Sequence, residues 1–408
     1  MHGPTSVRRL VFSVFAVGLA VGSLAGCGGG GAYTRQTSLD HQSKMDIMKS
    51  ATEYDMSRQA YYAGDLKKAL DGVERSIAIN DQVAKTHVLR GRILLELSEL
   101  DGALDALHTA ETLDPKSVDA QYYLGMAYER LNEFETSIKH YQAAAEMKPE
   151  KAQYIVAVAE VMIDAGRVDE AETYLSSRRA RFDHNAGVRQ TLGHIALMQG
   201  NPTKALTMFS EARILAPEDM EILEDLVQTQ IALGRYGDAS GGLSKLLSDE
   251  DFAEQRRDLR HVYGRCLIEL GRYIEARNVY LALTEDSEGG SDVDAWIGLG
   301  NVSCIIKDPY RLRTAAGRVM ALEPNREEGY LLRSIWHRRR GESNDALAWL
   351  QVAAERAGES QAIYTMAGLV LADLGRDDDA RKVFSSVVPA RTGGEFAGVS
   401  ESDLITEN

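Results

Sequence analysis

The chain is short of the residues that interrupt helices and of the groupings that carry chemistry. It has only 8 Pro among 408 residues, which leaves long helical stretches free of the residue that breaks them. Its nine His include no pair spaced i,i+4 and no His-Glu-x-x-His, so no zinc-binding helix can be assigned. No Gly-x-Ser-x-Gly elbow and no Gly-rich loop ending in Lys-Ser/Thr occurs, so no nucleophilic or phosphate-binding motif is available. Basic residues are outnumbered 46 to 61 by acidic ones, a formal charge of −15. That balance argues against nucleic acid and against electrostatic adhesion to an anionic membrane. No metal, cofactor or small-molecule substrate is expected.

What is abundant is repetition. Small residues recur every 34 positions as Ser57, Gly91, Gly125, Ala159, Gly193, then, after Val227, as Gly264, Gly300, Ser334 and Gly368, with 3 extra residues before Gly264 and 2 before Gly300. Seven places further on stand Gly64, Ser98, Asn132, Gly166, Gly200, Gly234, Gly271, Lys307, Gly341 and Gly375. This column lies between two stretches of helical period, where a chain leaving one helix needs a positive φ that Gly and Asn adopt cheaply. Each copy therefore reads as a helix hairpin. Ala69, Ala103, Ser137, Ala171, Ala205, Ala239, Ala276, Ala346 and Ala380 make a second small column, which only Leu312 breaks. Small residues on facing helices permit close approach. Large residues such as Leu107, Tyr141, Leu175, Phe209, Leu243, Tyr280, Leu350 and Phe384 recur on the second helix and are expected to fill the space toward the next copy. Pro115, Pro149, Pro217 and Pro324 close several copies.

These columns resemble the tetratricopeptide repeat, whose pattern Leu124, Gly125, Tyr128, Asn132, Phe134, Ser137, Tyr141, Ala144 and Pro149 reproduce in one copy. The resemblance covers ten copies starting near residues 50, 84, 118, 152, 186, 220, 257, 293, 327 and 361, within 50–394. It implies an all-α fold, a right-handed α-solenoid in which each repeat buries its apolar face against its neighbours. Lys307 and Leu312 leave the turn of the eighth copy open to question. The slips at 247–257 and 284–294 are read as kinks.

Residues 1–27 hold Arg8 and Arg9, an apolar run from Leu10 to Leu24, and then Leu24-Ala25-Gly26-Cys27. The run is short for a membrane span and has the layout of a secretory signal. Its ending resembles the bacterial lipobox. That resemblance implies cleavage before Cys27, lipidation (palmitate) of its thiol, and a lipoprotein held on the periplasmic face of the cell envelope, with Gly28 favouring the outer membrane over the inner. Residues 28–49 are then a flexible Gly-rich tether, and 395–408 a disordered tail. Cys266 and Cys304 occupy different phases of their copies, which disfavours a bridge between them.

In the tetratricopeptide family, certain places of the first helix line a concave groove that takes a peptide or helix segment. In repeats four to six these are Gln153, Val156, Glu160, Ile163, Asp164, Gly187, Gln190, His194, Leu197, Met198, Glu221, Glu224, Gln228, Ile231 and Ala232. The set combines four acids with apolar residues and contains no Lys or Arg, which suits a neutral or basic partner with apolar anchors. His194 and Glu160 are placed to face one another across it. Repeat nine gathers Arg333, Trp336, His337, Arg338, Arg339 and Arg340, a basic patch that either complements the helix dipole or docks an acidic tail or lipid headgroup. The expected function is a non-enzymatic scaffold for protein partners, membrane-held through its lipid and similar to lipoproteins that help assemble pili or secretins. An adaptor for cell-wall enzymes is the alternative, and an enzyme sited in repeats seven and eight the remotest reading.

Overall fold

A computed structural model describes residues 32–253, 256–286 and 290–386. Cys27, the signal-like segment and the tail lie outside them. The described residues form two compact units, one up to Tyr123 and one from Leu124 onward, and contain helices and no strand.

The first unit holds α1 (Ala32–Tyr62), α2 (Leu66–Ile79), α3 (Ala84–Glu96), α4 (Leu100–Leu113) and the start of α5 (Val118–Arg130). The second continues with α6 (Phe134–Met147), α7 (Ala152–Asp164), α8 (Val168–Ser176), α9 (Ala186–Met198), α10 (Pro202–Leu215), α11 (Met220–Ala232) and α12 (Tyr236–Ser248). After the short α13 (Glu250–Ala253) come α14 (Arg257–Glu269), α15 (Tyr273–Glu285), α16 (Val293–Ile305), α17 (Pro309–Leu322), α18 (Glu327–Arg339), α19 (Ser343–Ala357), α20 (Gln361–Asp373) and α21 (Asp377–Ser386). The fold is an α-solenoid of helix hairpins.

Each hairpin turns on one residue of positive φ, and the non-Gly members Ser98, Asn132 and Lys307 (φ 61°, 58° and 58°) take the conformation of Gly166 or Gly271. In every copy the next N–H bonds a carbonyl five residues back, as Asp308 does to Ser303 and Arg272 to Leu267. This bond satisfies an orphan carbonyl at the helix end. The eighth turn therefore has the geometry of the others, and Leu312 is 1% exposed in its core. Asp65, Asn201 and Asp308 accept from backbone N–H groups of the second helices they start, and Pro202 and Pro309 follow two of these caps.

The large residues of the second helices pack differently from expectation. A Cβ at Gly91, Gly125, Gly193, Gly264 or Gly368 would stand 2.5–2.7 Å from Leu107, Tyr141, Phe209, Tyr280 or Phe384 of its own hairpin. The big side chain thus plugs back into the glycine of its own first helix, and only a missing side chain makes room. Tyr280 also reaches Gly298 of the following repeat.

Two other features depart from the sequence reading. The stretch taken as a tether is helical from Ala32, because no Gly or Pro interrupts 32–63, and Met45, Ile47 and Met48 stay more than half exposed. Repeat four ends its second helix early at Ser176 and continues as a 3-10 turn, Arg179–Phe182. There Phe182 is buried, and the buried Arg189 pairs with Asp183 (2.6 Å) and Glu211 (2.7 Å). Cys266 and Cys304 are buried thiols without a disulfide.

Candidate functional site

On α7, α9 and α11 the apolar side chains that face the core are fully enclosed, for instance Val158, Val161, Leu192, Ile195, Ile222 and Val227. The other side of the same helices carries the groove residues, and none of them is buried. Leu197 and Met198 are 39% and 60% exposed, while Val156, Ile163 and Ile231 are half-buried. Gln153, Glu160, Asp164, Glu221, Gln228 and Ala232 face water, and Gly187, Gln190, His194 and Glu224 are intermediate.

One residue outside the family's groove places joins two of these helices. Asp225 of α11 accepts from Gln190 (2.8 Å) and bonds His194 Nε2 (2.9 Å), both on α9. That bond, followed by the charges of Asp225 and Glu160, raises the His194 pKa against the opposing effect of burial. His194 therefore bonds Asp225, while Glu160 acts on it through charge alone. Glu160 itself is pushed up, first by the protein around it and then by Glu129 and Asp164, with His194 pulling the other way.

The groove also has a cation after all. Arg256, supplied by the irregular segment before α14, forks onto Glu224 at 2.6 and 3.0 Å and also holds Asp258. Neutralised Glu224 contributes little to any outward field, so the acidic character concentrates on Glu160, Asp164 and Glu221. The cation was not visible from the family's groove places because it comes from outside the repeat pattern.

The basic patch of repeat nine separates into two groups. Arg338 pairs with Asp373 (2.5 Å), Arg339 donates to the Cys304 carbonyl (2.5 Å), and Arg340 donates to Glu342 (2.8 Å). These three are spent on the fold. Arg333 instead lies over Trp336 (4.9 Å to the ring centre). His337, Glu342 and Asp345 gather their polar atoms closely. Trp349 donates to His337 Nε2 (3.1 Å), so Nδ1 carries the proton and donates to Glu342 at 2.8 Å. The ring in that state has no lone pair left for a metal. Among the described residues no helix is long and apolar enough to cross a membrane.

Parts of this chain are similar to known proteins. The tetratricopeptide repeat family models match residues 88–152, 124–186 and 196–260. A BBSome complex member of Bos taurus is 22% identical over 46% of this chain and 36% of its own length, and a human protein O-mannosyl-transferase is 28% identical over 31% and 14%. The chain thus spans about a third or less of the curated relatives it matches. Among solved structures, a thermophilic tetratricopeptide protein of Thermus thermophilus is 22% identical, with a TM-score of 0.38, covering 45% of this chain and 99% of its own. PilW, a widely conserved type IV pilus biogenesis factor, is 17% identical, with a TM-score of 0.43, covering 49% and 93%. Residues 88–186 and 196–260 thus carry tetratricopeptide repeats, and the ten hairpins of the described residues all turn on the same positive-φ column.

Proposed function

We propose that the protein is a non-enzymatic scaffold that holds a partner's peptide or helix segment against α7, α9 and α11. The observation that carries this is the juxtaposition of exposed Leu197 and Met198 with Glu160, Asp164 and Glu221, none of which forms an ion pair among the described residues. Apolar anchors supply affinity and uncompensated carboxylates select a neutral or basic segment. The test is anisotropy of a labelled helical peptide alternating Leu and Lys. L197E/M198E is expected to weaken it about 10-fold, and unchanged affinity would reject the groove.

The place of work in this reading rests on Leu24-Ala25-Gly26-Cys27: a lipid-anchored envelope protein, outer membrane in preference to inner, serving assembly of a pilus, secretin or similar machine. Recruitment of cell-wall enzymes is the second reading. Labelled palmitate incorporated by the native protein and absent from C27S supports the anchor; label retained by C27S, or absent from both, removes it.

A further inference from the structure

Repeats eight and nine hold a cleft that the groove does not include. It measures about 430 Å³ and is lined by Tyr310, Arg313, Thr314, Gly317, Arg318 and Arg333. Its lining comes from α17 and α18, whereas the groove residues lie on α7, α9 and α11.

The three arginines are unlike their neighbours. Arg311, Arg326, Arg338 and Arg340 each pair with a carboxylate. Arg313, Arg318 and Arg333 form no ion pair among the described residues, in a chain with 61 acidic side chains. Arg333 Nε is enclosed and has no hydrogen-bond partner among the described residues. The guanidinium planes are nonetheless held in place. Arg318 lies 5.6 Å from the Trp296 ring centre, and Arg313 and Arg333 lie 5.4 and 4.9 Å from that of Trp336. Stacking on a ring face orders a guanidinium while leaving its N–H edge unused. Burial and then the like charge of Arg313 lower the Arg333 pKa, against a smaller opposite pull from Glu342, and a bound anion would relieve that cost. Gly317, between Arg313 and Arg318, leaves the floor open, with nothing within 4 Å of where a side chain would start.

We propose that this cleft is a second docking site, which takes the carboxylates of an acidic peptide segment from a protein partner. Guanidinium forks match carboxylates in two-point contacts, and Tyr310, 78% exposed at the rim, offers a ring to the segment's apolar atoms. An anionic bilayer is disfavoured because the net charge of −15 repels an extended negative surface, whereas a short segment meets only the local cations.

The test uses the full chain and a fluorescein-labelled octaglutamate at about 50 mM salt, where screening is weak. Saturable binding is expected, with a change in tryptophan emission and a loss of about 10-fold or more in R313E/R318E. Both positions are exposed, so far-UV circular dichroism should be unchanged. R333Q, which removes the charge and keeps much of the stem, should weaken binding independently of that reversal. The charge-matched R381E/K382E, on exposed positions of α21, should stay within about twofold. The proposal is overturned if the peptide does not saturate, if R381E/K382E loses as much as R313E/R318E, or if inorganic phosphate displaces the peptide at equal concentration. It is equally overturned if phosphatidylglycerol vesicles, and not the peptide, bind through Arg313 and Arg318. An acidic probe does not suit the carboxylate-lined groove, so either outcome leaves the groove to its own test.

Discussion

The faces of repeats four to six and of repeats eight and nine use charge in opposite ways. Around α9 and α11 the polar groups are largely satisfied by one another, Gln190 and His194 on Asp225 and Arg256 on Glu224, so what remains outward is an apolar pair edged by a few carboxylates. In the cleft of α17 and α18, Arg313, Arg318 and Arg333 are ordered by aromatic rings and form no ion pair among the described residues. A side chain paired within the fold mainly shapes its surface, and one held in place but unpaired keeps its interaction for a ligand.

The largest way to break the comparison is to spoil the frame under one face alone. Gly193→Val puts a side chain 2.5 Å from Phe209 and is expected to cost about 3 kcal/mol, read as a lower urea midpoint. Because a repeat array propagates such damage mainly to neighbours, peptide binding at the groove should fall while tryptophan emission from the cleft changes little. Next is Arg256→Ala, which frees Glu224 and should tighten a basic peptide several-fold in anisotropy; a weaker complex would mean that Arg256 itself meets the partner.

A smaller effect follows from His194. Its pKa is raised in the fold, so its contribution to stability is full below the unfolded value of about 6.5 and is lost as pH rises through the folded value. In Asp225→Asn the histidine resonance should titrate lower by NMR and this part of the pH dependence should flatten, by under about 1 kcal/mol for a group so open to water. Smallest is Arg338→Ala. It removes the surface pair with Asp373, costs at most about 1 kcal/mol in thermal unfolding, and should not alter acidic-peptide binding.

Much of the frame was legible because it is local. A positive φ at residue 132 or 307 is demanded by the hairpin itself, so the column shows in the chain even where Ser98 or Lys307 departs from Gly. The groove places follow from the helical period once the repeat is in register. Asp225 and Arg256 were not legible, since each acts across about one repeat length on a partner fixed only in space. The stacked arginines were seen in part: the run ending at Arg340 stands out, but its last three members are consumed internally, while Arg313 and Arg318 come from the preceding repeat. The end of α8 was missed because residues 177–185 carry no apolar period to mark a turn of different type.

In the repeats of Gly91, Gly125, Gly193, Gly264 and Gly368, the plug of the second helix and the glycine socket that receives it belong to the same repeat. A tandem duplication of such a repeat therefore carries lock and key together, and the new copy has to match its neighbours only along its flanks. The array can lengthen or shorten by such units without redesigning their interiors, and Tyr280 reaching Gly298 and Leu332 reaching Gly300 of a neighbouring unit mark junctions where that freedom is reduced.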